Sequence, residues 1–370
     1  GGGEGRARAR RARKARERSE RVRACNARAT PKSGFCREWG RTMWEKLKAT
    51  GKPILLYGMG DGAEKIDAEL KKREIPIAGV FASEGFTRGQ EFMGCPVTDY
   101  RTARERYGEM VVLVCFGTHR PELYARDVPV AGEEIFTREY AKAHREELGR
   151  VYGLLADDHS RKVLRDVVEY KLTGDIKLLR GCESEPREAW ESILRPGKEE
   201  HYMDLGAYTG DTIAEFIGYA GEWRRITALE PDPVTFAKLE RNTAGLHDCI
   251  LYRLGAYSRY ARLPFAGGAG RGSHLAAGGA MTELDSVDNI LCGQTVSLIN
   301  MDVEGMEAEA IAGMAKTLRR HRPKLLIAGY HRSEDLWRLP LEVLAIQPEY
   351  KVYVRHYPCL PAWDVNFYFV

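Results

Sequence analysis

Residues 203–212 read MDLGAYTGDT. With His201 and Tyr202 in front, this is a short apolar run that breaks at Gly206 into a loop closed by Gly210. The run 211–223 follows, with Ile213, Phe216, Ile217 and Ala220 at i, i+3, i+4 and i+7, one apolar stripe of a helix. A strand that ends in a glycine turn before a helix leaves backbone N–H groups pointing outward. That edge suits a ligand with negative or hydroxylated parts, and glycine lets the backbone approach it closely. The next apolar run, ITALE at 226–230, ends in Glu230, 24 positions past Gly206, where an acid would receive ribose hydroxyls. The order strand, loop, helix, strand, acid admits NAD as well as other nucleosides.

Outward from this stretch the pattern stays regular. Asp232 followed by Pro233 reads as an N-cap with proline in the first helical position, opening a helix over 233–242. A third strand is expected at 249–258, and a glycine-rich excursion interrupts at 265–280. TVSLINMDVEG (295–305) carries a fourth strand, 306–321 a helix that Pro323 stops, and PKLLIAGYH (323–331) a fifth strand. The chain closes on YKVYVRHY and WDVNFYFV, two strands joined by a short proline-containing turn, which predicts an antiparallel pair.

A second strand–glycine loop–helix unit lies far upstream in KPILLYGMGDGAEKIDAELKKR, 52–73. GMGDGA fits G-x-G-x-x-A after a strand. The following strand, 75–82, ends with Ala82 where a ribose acid would stand, and Glu84 is two residues on. A third apolar run, 110–117, completes a Rossmann-like pattern of strands alternating with helices. Gly58 and Gly60 are its candidate contacts to a nucleotide-sugar; a scaffold with an empty crevice is the competing reading. Residues 134–195 are mostly helical in pattern, and RPGKEE at 195–200 marks a boundary. The expected division is a disordered Arg-rich leader (1–30), a Rossmann-like unit (31–133), a helical connector (134–197) and a catalytic unit (198–370).

The net charge of +4 conceals an asymmetry. Residues 1–29 hold ten Arg and one Lys against three Glu, so the other 341 residues sum to −4. An acidic body argues against a nucleic-acid-binding protein. No apolar run approaches the ~20 residues of a membrane helix. The eight cysteines include no C-x-x-C pair, so zinc and thioredoxin patterns are excluded and a reduced, cytoplasmic protein is expected.

Four ordered stretches, MDLGAYTGDT, ALEPDPVTFAKL, INMDVEGMEAEAIAGM and PKLLIAGYHRSEDLW, together resemble the FkbM family of S-adenosyl-L-methionine (SAM) methyltransferases, over about 199–357. The resemblance implies an α/β class I methyltransferase fold, a Rossmann-like seven-stranded sheet with an antiparallel C-terminal strand pair, beside the smaller Rossmann-like unit. It implies methyl transfer from SAM to a hydroxyl of a saccharide or secondary metabolite. It assigns cofactor contacts to Asp204, Gly206, Ala207, Tyr208, Gly210, Asp211, Thr212, Glu230, Pro231, Asp232 and Ala256, and matches Asp302, Glu304 and Glu307 to the family's D-V-E-G-x-E acids. Asn300 departs from the lysine usual there.

A hydroxyl acceptor has to lose its proton, and His331, at the end of the fifth strand, is the expected base because its reference pKa is near neutrality. Asp302 leaves the neighbouring strand and would orient it. No metal is expected, since Asp302, His331 and Asp335 lack a second acid of defined geometry. Two alternatives remain open at this point: an NAD-dependent dehydrogenase or epimerase working through the first loop, and a non-catalytic binding protein on a methyltransferase fold.

Overall fold

The computed structural model describes residues 40–83, 85–117, 136–266, 274–275 and 280–370. The Arg-rich leader, Glu84 and most of the glycine-rich excursion lie outside these residues.

The N-terminal sheet contains β1 (Ile54–Tyr57), β2 (Gly79–Ala82), β3 (Glu91–Phe92), β4 (Cys95–Asp99) and β5 (Val111–Val114), in the order β3-β4-β2-β1-β5. β4, β2, β1 and β5 run parallel, and β3 pairs antiparallel with β4. Ile54, Leu56, Val80 and Leu113 pack on one face and Leu55, Phe81 and Val112 on the other. Burial on both faces is what the continuous apolar runs of a parallel sheet require.

Helices Arg138–Ala143, Arg145–Leu154, Asp158–Thr173 and Ile176–Gly181 follow, then Pro186–Glu188 running into a π-helical turn, Ala189–Leu194. They are fastened to the C-terminal strands by Arg355. Its guanidinium, 2% exposed, reaches Asp157 Oδ2 at 2.8 Å and Glu188 Oε2 and Oε1 at 2.8 and 2.9 Å.

The larger sheet is built from β6 (His201–Leu205), β7 (Arg225–Leu229), β8 (Cys249–Tyr252), β13 (Leu298–Met301), β14 (Lys324–Ala328), β15 (Val352–His356) and β16 (Val365–Phe369). Its order is β15-β16-β14-β13-β6-β7-β8, and β16 alone runs antiparallel to its neighbours. This is the α/β sheet with an antiparallel closing pair that the sequence predicts. Side chains alternate between its faces: Met203, Leu205, Ile299, Met301 and Phe367 join the core shared with the connecting helices, while Tyr202, Ile226, Ala228, Leu298 and Tyr368 pack on the opposite side.

A small sheet, order β11-β10-β12-β9, sits between β8 and β13: β9 (Gly255–Ala256), β10 (Ala261–Ala266), β11 (His274–Leu275) and β12 (Ala280–Asp285). The strand expected at 249–258 is therefore two strands: after Tyr252 the chain leaves the large sheet, and Gly255 and Ala256 pair with β12 instead. The helix expected over 306–321 breaks at Met314 into Glu307–Gly313 and Ala315–His321. At this break Gly313 lies against the carbonyl of Tyr257, where a Cβ would collide.

In the large sheet the chain steps from β6 to β7 and β8 on one side, and from β13 to β14 on the other. The crevice between β6 and β13 is thus a topological switch point, where ligands of open α/β sheets bind. Asn300 pairs with Asp204, Met301 with Leu205 and Leu205 with Leu229, so Gly206, Glu230, Asp302 and His331 all emerge at one edge.

Candidate active site

A cavity of about 850 Å³ opens at that edge. Its size suits a ligand of several hundred cubic ångströms together with part of a second molecule.

The floor is the glycine loop. Gly206 has φ +85° and its α-carbon faces the carbonyl oxygen of Asp302 so closely that a Cβ would collide. The glycine therefore brings the ends of β6 and β13 together. Gly206 and Ala207 N–H groups both donate to the carbonyl of Leu229, at 3.0 and 2.9 Å. Tyr208, at the tip with φ +48°, donates its N–H to Glu230 Oε2 at 3.0 Å, and the N–H of Asp232 reaches Glu230 Oε1 at 2.9 Å. Burial, with the nearby charges of Asp232 and Asp204, pushes the Glu230 carboxyl up to about 7 against the pull of those two N–H donors. Glu230 thus lines the cavity as a desolvated acid with lone pairs left over.

Of the residues expected to contact a cofactor, Gly206, Tyr208, Asp211, Thr212, Glu230, Pro231 and Ala256 line the cavity; Asp204, Ala207, Gly210 and Asp232 lie behind its wall. Asp204 is wholly buried and accepts from Thr212 Oγ1 (2.5 Å), Asn300 Nδ2 (2.9 Å) and Tyr202 OH (3.3 Å). Burial raises it to about 6 in spite of those donors. Its place is to fix three side chains that themselves face the cavity. Asn300, standing where the resembled family has lysine, supplies a neutral donor to that acid. Asp232 is engaged as the N-cap of the helix Pro233–Thr243, taking the N–H groups of Val234 and Thr235 at 3.0 and 2.8 Å. Gly210 starts the helix Asp211–Ala220 in the left-handed conformation.

At the ends of β13 and β14 a second group of side chains meets. His331 Nε2 lies 3.3 Å from both Asp302 Oδ1 and Glu304 Oε2, and Nδ1 lies 2.9 Å from Glu307 Oε1. Tyr330 OH donates to Asp302 Oδ2 at 3.0 Å. Glu307 is fully buried and also accepts the N–H groups of Val303 and Gly305. The structure thus brings Asp302 and His331 together, as expected, but alters the reason for choosing His331. Burial alone would lower the imidazole; the carboxylates of Glu304, Glu307 and Asp302 outweigh it and push it up to about 11. A ring that keeps its proton at neutral pH is not a ready base. Burial, with Glu304 and Glu307 adding repulsion, lifts Asp302 to about 6.

The remaining wall comes from the closing strands: Tyr357, Trp363, Asn366 and Tyr368, with Trp190 from the π-helical turn. Gly117, just past β5 of the N-terminal sheet, packs against the Trp363 ring and also reaches the cavity. None of these was singled out from sequence, nor was Tyr330. The aromatic residues around RHYPCLPAWD were the available signal. At the N-terminal glycine loop a Cβ on Gly58 would stand 2.6 Å from Phe116 and one on Gly62 would strike the carbonyl of Cys115, while Gly60 has open space beside it. Ala82, at the acid position, is buried.

Residues 204–353 match the methyltransferase FkbM domain. The crystal structure of a methyltransferase FkbM from Methylobacillus flagellatus KT superposes with a TM-score of 0.68 at 21% identity, covering 95% of this chain and 99% of that one. Its fold therefore includes the N-terminal sheet. Aeropyrum pernix fibrillarin, in complex with S-adenosyl-L-methionine, matches with a TM-score of 0.34 at 14% identity over 50% of this chain and 71% of its own. A precorrin-6y C5,15-methyltransferase from Geobacter metallireducens GS-15 matches with 0.33 at 14%, over 50% and 84%. No curated protein matches the sequence significantly. Over residues 204–353 this chain is thus similar to the methyltransferase FkbM domain, and it shares the fold of the Methylobacillus flagellatus structure.

Proposed function

We propose that the cavity binds S-adenosyl-L-methionine and that the protein methylates a hydroxyl of a saccharide-like or secondary-metabolite acceptor. The observation that carries this reading is the pairing, at one sheet edge, of the Gly206 loop with Glu230, a buried carboxylate facing the cavity beside it. When bound, the cofactor supplies an electrophilic methyl on a sulfonium. The residues present fit it: Glu230 would accept ribose hydroxyls, and Asp204 holds Thr212, Asn300 and Tyr202 in place along the wall.

The chain's own contribution to the transfer is alignment and charge. An acceptor entering between Trp363, Tyr357 and the Asp302–His331 group would be held by aromatic faces on one side and carboxylates on the other. Asp302 and Glu304 then stand where a hydroxyl proton has to be received, with His331 fixed between them by Glu307. The division into units 31–133, 134–197 and 198–370, and a cytoplasmic location, belong to the same reading; no helix of the described residues is long and apolar enough to cross a membrane. A nucleotide-sugar at the first glycine loop is a separate proposal: Phe116 stands over Gly58, while Gly60 faces open space.

The test is transfer from methyl-labelled SAM to a panel of saccharides and polyols, with the product's methyl carbon identified by NMR. O-methyl product is expected, with turnover falling roughly 10²–10⁴-fold in Asp302→Asn and His331→Ala while SAM affinity stays nearly constant in the latter. An N- or C-methyl product, or a wild-type rate in both variants, overturns it.

A further inference from the structure

We infer that Asp302, Glu304 and His331 form a site for a hard divalent cation of the Mg²⁺ or Mn²⁺ class, although the sequence led to the expectation of no metal. Asp302 Oδ1, Glu304 Oε2 and His331 Nε2 all lie within 4.8 Å of one another, with Nε2 3.3 Å from each oxygen. Metal–ligand bonds of about 2.1 Å put neighbouring corners of an octahedron roughly 3 Å apart, so the two Nε2–oxygen separations need little adjustment. The single N–H on Nε2 can point at one carboxylate only, whereas a cation serves both.

The other ring nitrogen strengthens the case. Nδ1 sits 2.9 Å from Glu307, a fully buried acid. A carboxylate behind the far nitrogen of a histidine is the arrangement that fixes its tautomer and aims Nε2 at a metal. Three atoms of the group, Asp302 Oδ1, Glu307 Oε2 and His331 Nδ1, are shut off from solvent and make no hydrogen bond among the described residues, Nδ1 meeting Glu307 as an ion-pair contact only. Three carboxylates around one imidazole leave the group short of positive charge even when the ring is protonated, and Arg332, the next residue along, points its Nε at the carbonyl of Gly305 instead. Glu307 is fully buried while Asp302 and Glu304 are part-exposed, and an excess of negative charge beside a buried acid favours a counterion. Two carboxylates with one imidazole, open towards the cavity, suit Mg²⁺ or Mn²⁺ better than a softer metal.

At the cavity wall such an ion would hold an acceptor oxygen; that purpose rests on the methyltransferase reading, while the site itself does not. The probe is Mn²⁺ titrated into the full chain, without SAM, with free ion followed by its electron paramagnetic resonance signal. One Mn²⁺ per chain is expected, displaced by excess Mg²⁺. Glu304→Gln and Asp302→Asn should each weaken it at least about tenfold, and Glu307→Gln by a similar factor through His331. Thermal melting without metal separates lost ligands from lost folding, and the partly exposed Glu304 makes its variant the safer of the set. Absence of Mn²⁺ binding to the wild type, or unchanged binding in folded Glu304→Gln, overturns the site. Mn²⁺ binding by a chain that ignores SAM would keep the site and remove the methyltransferase reading.

Discussion

The molecule contains two glycine loops of the same grammar with different surroundings. Each follows a central strand of a parallel sheet and opens a helix, Asp61–Lys72 in one case and Asp211–Ala220 in the other, and each holds two glycines at positive φ: Gly58 and Gly60, Gly206 and Gly210. In the first, the room beside Gly58 is taken by the unit's own packing, while Gly60 faces open space. Phe116 stands over Gly58 and makes an edge contact with Tyr57, which stacks on Phe81 at 4.6 Å. Around the second, the room admits the backbone of Asp302, a member of the site, and the next strand delivers Glu230 to the cavity. A glycine motif specifies a backbone path; the residue lying across from it decides whether a ligand can follow.

The comparison can be broken most severely at Gly206. Gly206→Ala adds a Cβ against the Asp302 carbonyl in a left-handed residue, and strain of about 3 kcal/mol should cost roughly 100-fold in SAM affinity by isothermal calorimetry. Gly60→Ala meets open space, but at φ +118° it strains the backbone, so it should lower the melting temperature without touching SAM affinity. Equal effects of the two on cofactor binding would erase the distinction between the loops.

Next in size is Glu230. Glu230→Ala should weaken SAM by about 1–3 kcal/mol, as when a charged hydrogen-bond partner is removed. No matching loss is open to the first loop, where Ala82 holds the position.

A smaller effect is a pH dependence. Because the folded Glu230 carboxyl titrates near 7, above its unfolded value, the protonated form is favoured by folding. Its contribution to the stability of the ligand-free protein is present at low pH and lost as pH rises through about 7. Ribose hydroxyls favour the carboxylate, so SAM affinity should move the opposite way, rising up to about tenfold from pH 6 to pH 8. Glu230→Gln should flatten that profile.

His356 provides a control away from both loops. Burial holds its ring down to about 4, so the neutral form is favoured. Its contribution to stability is complete above the unfolded value near 6.5 and is lost as pH falls towards 4. Acid melting of a His356→Asn variant should be less steep through that window, with SAM affinity unaltered.

Much of this was legible in sequence because the signals were local and ordered. MDLGAYTGDT gave strand, loop and helix, and β6 spans His201–Leu205 with Glu230 directly after β7. The closing antiparallel pair was readable from two alternating apolar runs. The N-cap at Asp232 was readable from the Asp-Pro pair, whereas the role of Asp204 was not, since an acid in a motif looks the same whether it faces a ligand or holds neighbouring donors. The tuning of His331 was also hidden: three acids reach it from Asp302, Glu304 and Glu307, and only the fold places them around one ring. Nor did sequence reveal that Gly117, from the other sheet, meets Trp363 at the cavity mouth.

The most direct test of the central claim is calorimetric titration of the full chain with S-adenosylhomocysteine and, separately, with NAD. The account predicts one S-adenosylhomocysteine per chain, weakened in Glu230→Ala and unaffected by Gly60→Ala, with no heat from NAD. Binding of NAD without S-adenosylhomocysteine, or S-adenosylhomocysteine binding that survives Glu230→Ala at full strength, would contradict it.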